Sequence, residues 1–354
     1  MGARTLIPAL RERHRGSCYS YDFERVPSTA RVWAEIGSIG RPNVFQTRAW
    51  VEHVAREHAA EPFLLRVMTD GQIVGHFIGL TIRRFGQEIV GSPFRGWGAY
   101  FMGFSLAEGQ VRADLVPAFL DWVWRETRSV FVEIVDTGIT AADVEGCRHT
   151  RVEALQWYAI DLARTEDELF AAMKSQCRNS IRKSVKVGVV VEEETDPVGF
   201  ADEYYGQHLE VMERLQLKPF YSVDSLRRMF EALVVTGNIL LLRSREPGGE
   251  SIATGIFLFG GDSAVFWGAA SRREFQSLRP NEPLAWHGIK AMKEREVRTF
   301  HFGGECDQYK EKFGTVDAGL VRITSARNAA LARAFDLATS RQDAAYRNWI
   351  LRHI

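Results

Sequence analysis

The residues best suited to chemistry gather late in the chain, from Arg298 to Gly314, in the stretch RTFHFGGECDQYKEKFG. It holds His301, the pair Gly303-Gly304, the carboxylates Glu305 and Asp307, and the cations Lys310 and Lys312. A strand that runs into two glycines needs permissive backbone angles and leaves polar groups at its carboxyl end, where mixed α/β folds usually place ligands. Glu305 and Asp307 are the candidates for accepting a proton. Lys310 is the candidate for stabilising developing negative charge. Each has a plainer reading beside it. The acids read equally as solvated loop residues, and charge alone leaves Lys310 a surface lysine. Lys312 reads as a solvated neighbour that adds phosphate attraction. Strand alternation sets His301 on the opposite face from Phe300 and Phe302, where it is a candidate base, a structural histidine being the commoner occupant.

A second set is electrostatic. One helix is predicted from Thr165, where Glu168 completes a capping box, to the stop at Gly188. Its apolar side is Phe170, Met173, Cys177, Ile181 and Val185. Lys174, Arg178, Arg182 and Lys186 follow at four-residue steps along the edge of that side, with Lys183 beside them. Acidic and basic residues balance at 45 each, so no global field announces a polyanion partner and any such site is local. The stripe is a candidate phosphate contact, and a solvated helix face is the competing reading.

The elements that position these residues come in a repeated order. The first half gives strands over 63–68, 72–83 and 85–90, then Trp97-Gly98-Ala99, a helix over 111–128, and the strand VFVEI. The second half gives strands over 238–244, 251–259 and 263–269 with Trp267-Gly268-Ala269, a helix over 284–296, and the strand TFHFGG. Duplication is the economical account. The reading divides the chain into a loose basic lead-in over 1–20, a first domain over 21–160 and a second over 161–354. The fold class is α/β (α+β), each domain a mainly antiparallel sheet flanked by helices. Composition fits two cores: 354 residues, 45% hydrophobic and 25% charged. The four cysteines form no Cys-x-x-Cys pair, which disfavours a zinc site or disulfide frame and fits a reducing cytoplasm. No metal-ligand spacing, membrane-length apolar run or signal peptide is expected.

Each half resembles the acetyltransferase (GNAT) fold, and the tandem resembles the Fem family of nonribosomal aminoacyltransferases (FemABX) and the related BioF2-like acyltransferases. The resemblance covers about Phe45 to Ile323. It rests on Arg178-Asn179-Ser180-Ile181-Arg182-Lys183 before a Gly-Val strand, on Pro283-Leu284 opening a helix, and on Phe302-Gly303-Gly304 followed by Tyr309-Lys310-x-x-Phe313-Gly314. No heptad stretch matches the coiled-coil arm of several Fem enzymes, so this would be an armless form.

The resemblance implies amide formation, an amine attacking an activated acyl carbonyl. It makes Lys310 the oxyanion-stabilising cation, with Tyr309 and Phe313 fixing it at the substrate. Arg95, Trp97 and Tyr100 in the first half and Tyr221 and Trp267 in the second are candidates to line an acceptor cleft between domains, with aromatic core as the alternative. The implied donor is aminoacyl-tRNA. The implied acceptor is an amine on a cell-wall (peptidoglycan) precursor or a small natural product, with no DNA and no integral membrane contact. Ordinary GNAT enzymes cradle coenzyme A on a glycine-rich turn. Here the matching stretch, Arg272 to Leu284, lacks Gly-x-Gly and carries two prolines that remove N–H donors, although Arg272, Arg273 and Arg279 remain as cations. An acyl-CoA or acyl-carrier thioester is the alternative donor, and a silent double-GNAT binding module the alternative from another class.

Overall fold

The computed structural model describes residues 21–84, 86–110, 112, 114–219, 221–304 and 307–334. The lead-in over 1–20, the helix expected over 343–354 and Glu305 lie outside these residues. The chain forms two compact units, Gln156–Ala318 and the described residues outside that range.

The first unit contains β1 (Asp22–Val26), α1 (Ala30–Ile39), α2 (Arg48–Glu57), β2 (Glu61–Thr69), β3 (Gln72–Arg84), β4 (Gln87–Ser92), β5 (Gly103–Leu106), α3 (Leu115–Glu126), β6 (Ser129–Val135) and β7 (Thr150–Ala154). The second contains β8 (Tyr158–Asp161), α4 (Glu166–Ala172), α5 (Ser175–Lys186), β9 (Val190–Glu194), α6 (Pro197–Arg214), α7 (Val223–Val235), β10 (Ile239–Arg245), β11 (Ser251–Gly260), β12 (Ser263–Ser271), α8 (Asn281–Glu294), β13 (Thr299–Gly303), α9 (Asp307–Glu311) and β14 (Val316–Asp317). A last strand, β15 (Val321–Ala326), returns to the first unit.

The first sheet runs β1-β2-β3-β4-β6-β15-β7, with β5 paired to β3; the second runs β14-β8-β13-β12-β11-β10-β9. Pairing is antiparallel except for one parallel pair in each, β4–β6 and β12–β13. Each parallel pair is bridged by one helix, α3 or α8, as a crossover requires. The predicted face of α3 packs as expected: Leu115, Phe119 and Val123 are buried with Phe63, Phe77 and Phe104. Among the described residues no helix is long and apolar enough to cross a membrane.

The structure departs from the sequence reading in three places. β15 inserts between β6 and β7, so 161–354 is not one domain; its alternating Val321, Ile323 and Ser325 are buried against the edge that β6 offers. The third strand of the first unit is split, β4 pairing β3 over Leu80–Arg84 and β5 over Gly75–Ile78. Trp97-Gly98-Ala99 therefore lies in the loop between them, while Trp267-Gly268-Ala269 lies within β12. The helix expected over 165–187 is two helices. Met173 and Lys174 break it with extended backbone, ψ 147 and 144.

Candidate active site

The second sheet opens at its centre. β12 and β13 are in parallel register at Ser263/Thr299, Ala264/Phe300 and Val265/His301, and there their pairing ends. β12 continues to Ser271 along β11, with a bulge where Ile256 meets Gly268 and Phe257 meets Phe266. β13 ends at Gly303 along β8. Phe266, Trp267 and Gly268 are half-buried and Ala269 is exposed, in mid-sheet, because the neighbouring strand has turned away. In the first unit the corresponding strands β4 and β6 stay paired to the end of β4, at Ser92/Ile134.

The far side of the opening is the glycine pair. Gly303 has φ +82, a conformation that glycine adopts without strain. A side chain on Gly304 would meet the Gln156 carbonyl at 2.7 Å. These two constraints let the chain turn into α9 and bring Lys310 back over the strand end. The Lys310 ammonium donates to the Gly304 carbonyl. It lies 3.6 Å from where a Gly303 side chain would start, a point that is also 3.5 Å from the Trp157 ring.

The segment after Lys310 is anchored. Phe313 is buried and stacks on Phe302 with ring centroids 4.9 Å apart, and Tyr309 meets Phe313 edge-on at 5.4 Å. Phe313, 1% exposed, is a core anchor and presents no surface to a substrate. The Tyr309 hydroxyl donates to the Asn281 carbonyl at 3.4 Å. Burial, with Glu282 and Cys177 nearby, pushes the Tyr309 phenol well above its usual range. Lys312, expected to be solvated, is held instead. Its ammonium pairs with Glu282 at 2.6 Å and lies 3.9 Å over the Tyr309 ring. The Lys312 carbonyl accepts the Lys174 N–H at 2.9 Å, so the break between α4 and α5 is the slot into which this segment docks. Asp307 is the first residue of α9.

The predicted stripe is not continuous. Lys174 caps α5 and pairs with Glu311 at 2.9 Å, with both side chains near half exposure. Arg178 closes the break, its guanidinium donating to the carbonyls of Ala171 (2.9 Å) and Met173. Arg182 lies over the Phe170 ring at 5.3 Å, and Arg182, Lys183 and Lys186 are exposed. Arg178→Ala uncovers two helix-end carbonyls, so urea denaturation should show a loss of about 1–3 kcal/mol. Lys186→Ala, on the open surface, should stay within about 0.5 kcal/mol of wild type.

His301 is structural. The Trp157 indole N–H donates to its Nδ1 at 3.0 Å, which leaves the ring proton on Nε2. Burial pushes its pKa down from 6.5 to about 4. The unfolded chain therefore binds this proton at higher pH than the folded one. The stabilisation is complete above pH 6.5 and is lost as pH falls toward 4. His301→Gln should flatten the stability–pH curve in that window, by about 3 kcal/mol in total.

The remaining predicted residues fall in different units. Arg95 pairs with Glu153 at 2.6 Å, Trp97 stacks on His58 at 4.0 Å, and Tyr100 meets Phe45 edge-on at 5.8 Å, all in the first unit. Tyr221 stacks on Trp267 at 5.5 Å in the second.

The amino end of α8 is where a GNAT-type diphosphate would be sought, and it carries a buried acid–base pair. Glu282 sits in the first turn, buried, where a helix favours negative charge, and is neutralised by Lys312. Pro283 contributes no N–H. Arg272 is drawn toward Glu210 and Glu250, at 3.6 and 3.7 Å. The sequence reading missed Glu282, although an acid beside two prolines in a turn that should cradle phosphate was a visible signal.

Comparison with known proteins places the fold. Residues 171–311 match the family model described as the acetyltransferase (GNAT) domain, a match that lies within the second unit. The crystal structure of FemX superposes with TM-score 0.66 at 13% identity, covering 84% of this chain and 96% of that one. The fold is a tandem of GNAT-like domains. A tandem GNAT protein of the clavulanic acid biosynthesis pathway matches with TM-score 0.51 at 13% identity, covering 87% of this chain and 99% of that one. L-PGS from Bacillus licheniformis matches with TM-score 0.50 at 12% identity, covering 85% and 97%. These likenesses are of fold. No curated protein sequence matches the chain. In GNAT terms the opening between β12 and β13 belongs to the second domain, with Lys310 at its rim.

Proposed function

We propose that the chain is an aminoacyltransferase that forms an amide bond, moving an aminoacyl group from aminoacyl-tRNA onto an amine of a peptidoglycan precursor or small natural product. The observation that carries this reading is the combination of an open β12–β13 splay, rimmed by Lys310, with an α8 amino end that carries the buried Glu282–Lys312 pair. The first supplies a place for an acyl carbonyl beside a cation. The second sets a carboxylate and a proline at the usual place for a coenzyme diphosphate, which disfavours that anion, so the acyl group is better delivered by a carrier held elsewhere. The Fem resemblance implies aminoacyl-tRNA as that carrier.

In the proposed reaction the amine nitrogen attacks the ester carbonyl, the C–N bond forms, and the carbonyl oxygen gains negative charge. An ammonium has three N–H donors. Lys310 gives one to Gly304, which fixes the direction from which the ammonium meets the oxyanion. Collapse breaks the C–O bond; the amine loses one proton and the ribose alkoxide gains one. Glu305 and Asp307 remain the proposed proton acceptors. Cys177, buried with its thiol pushed up to about 12, is no nucleophile.

A thioester donor is the second reading, favoured by the acetyltransferase description of the matched domain. Amine-dependent deacylation of labelled aminoacyl-tRNA, run beside a thermal shift with acyl-CoA, separates the two. Deacylation without an acyl-CoA shift supports tRNA, and the reverse supports the thioester.

A further inference from the structure

A group of polar aromatic residues gathers where α6 meets the second sheet, on the Lys310 side of that sheet. Gly255 and Phe257 of β11 face α8: side-chain atoms on Gly255 or Gly288 would strike Leu284 and Phe257. Phe300 and Phe302 share the core cluster of Phe257 and α8. His301 therefore points to the opposite face, and with it the Trp157 ring and the Lys310 ammonium beside Gly303. Thr254 and Ile256 alternate with Gly255 and Phe257, so they too face away from α8. There α6 lies on them: the Thr254 hydroxyl donates to Gln207 Oε1 at 2.9 Å.

On this face the Tyr204 hydroxyl sits 2.7 Å from where a Gly268 side chain would start, directly over the bulged part of β12. It shares a hydrogen bond of 2.7 Å with the Tyr221 hydroxyl. His208 stacks on both rings, at 5.6 and 5.1 Å, and Tyr221 stacks on Trp267. Lys310 and the paired phenols thus stand on the same face, on opposite sides of the splay.

The cluster is built around unmet polar atoms. Gln207 and His208 are 1% and 6% exposed, yet Gln207 Nε2 and His208 Nε2 have no hydrogen-bond partner among the described residues. Buried polar groups are rarely left so without a bound molecule to meet them. The cluster is also uncharged. Burial alone pushes His208 down, and burial pushes the Tyr221 phenol up to about 12. A surface of neutral donors and acceptors accepts a neutral polar group and penalises a charged one.

We propose that the Tyr204–Tyr221 phenol pair, backed by His208 and Gln207, binds the amine substrate through an uncharged hydrogen-bonding group, such as a hydroxyl, next to the reacting amine. This rests on the acyl-transfer reading for what the amine then attacks, and it is tested separately. Tyr221→Phe keeps the ring stack and removes one hydroxyl. With a working donor, it should raise the KM for an amino alcohol roughly 3–10-fold. The donor KM should not move, nor should the KM for an amine lacking the hydroxyl. A merely structural tyrosine would alter all three together. An amino-alcohol KM equal to wild type overturns the proposal.

The second measurement needs no turnover. In protein labelled with fluorotyrosine, the Tyr221 resonance (assigned by its loss in Tyr221→Phe) should shift saturably with 2-aminoethanol and not with ethylamine. A shift without turnover on charged tRNA keeps this site and removes the donor reading. No saturable shift, or equal shifts with both amines, overturns the site.

Discussion

Lys310→Ala should lower the single-turnover rate of amide formation by about 10²–10³-fold, the effect of losing one preorganised oxyanion donor. Donor affinity and melting temperature should stay near wild type. The reason is where the ammonium is held. It is tied to the Gly304 carbonyl at the rim of the splay, half-buried beside Trp157, so its direction is set before substrate arrives. A preorganised charge acts mainly on the transition state, hence the effect on rate rather than on binding. Lys310→Arg keeps the charge on a planar, wider head that must fit beside Trp157, and should restore only part of the rate. An unchanged rate in Lys310→Ala would remove the oxyanion role.

The second large effect is on stability. Glu282 and Lys312 pair at 2.6 Å with their side chains 11% and 16% exposed. Lys312→Met or Glu282→Gln alone leaves a largely desolvated charge without its partner, which costs roughly 3–5 kcal/mol. The double variant leaves no such charge and should return most of that loss. Urea denaturation of the three variants measures the coupling. Additive losses would mean that the pair acts as two independent surface charges and does not close the amino end of α8.

Much of the fold was legible in the residues. Thr165 caps α4 with the reciprocal Glu168 bond read from the sequence, at 2.7 and 3.3 Å. The strand ending in Gly303-Gly304 and the lysine after it were visible as a pattern. The misreadings share one cause, partners distant in sequence. Phe170, Met173, Cys177 and Ile181 keep helical spacing through the break at Met173 and Lys174, where the partner of the Lys174 N–H is the distant Lys312 carbonyl. The alternation in Val321–Ala326 shows a strand but not that its partners are β6 and β7. Lys312 looks solvated until Glu282, thirty residues earlier, is found beside it. Tyr204, Gln207 and His208 gave a weaker signal: polar groups on the buried stripe of α6 with Phe200 and Met212. The splay itself has no local signature, since it is a pairing that stops.

The central claim is that an aminoacyl group leaves tRNA for an amine at the Lys310 rim. Mass spectrometry of the protein incubated with total aminoacyl-tRNA and a panel of amines tests it most directly, with and without ribonuclease treatment of the tRNA beforehand. The expected result is a product heavier than its amine by one aminoacyl residue, absent after ribonuclease and absent with Lys310→Ala. The same product after ribonuclease, or none with intact charged tRNA, would contradict the claim.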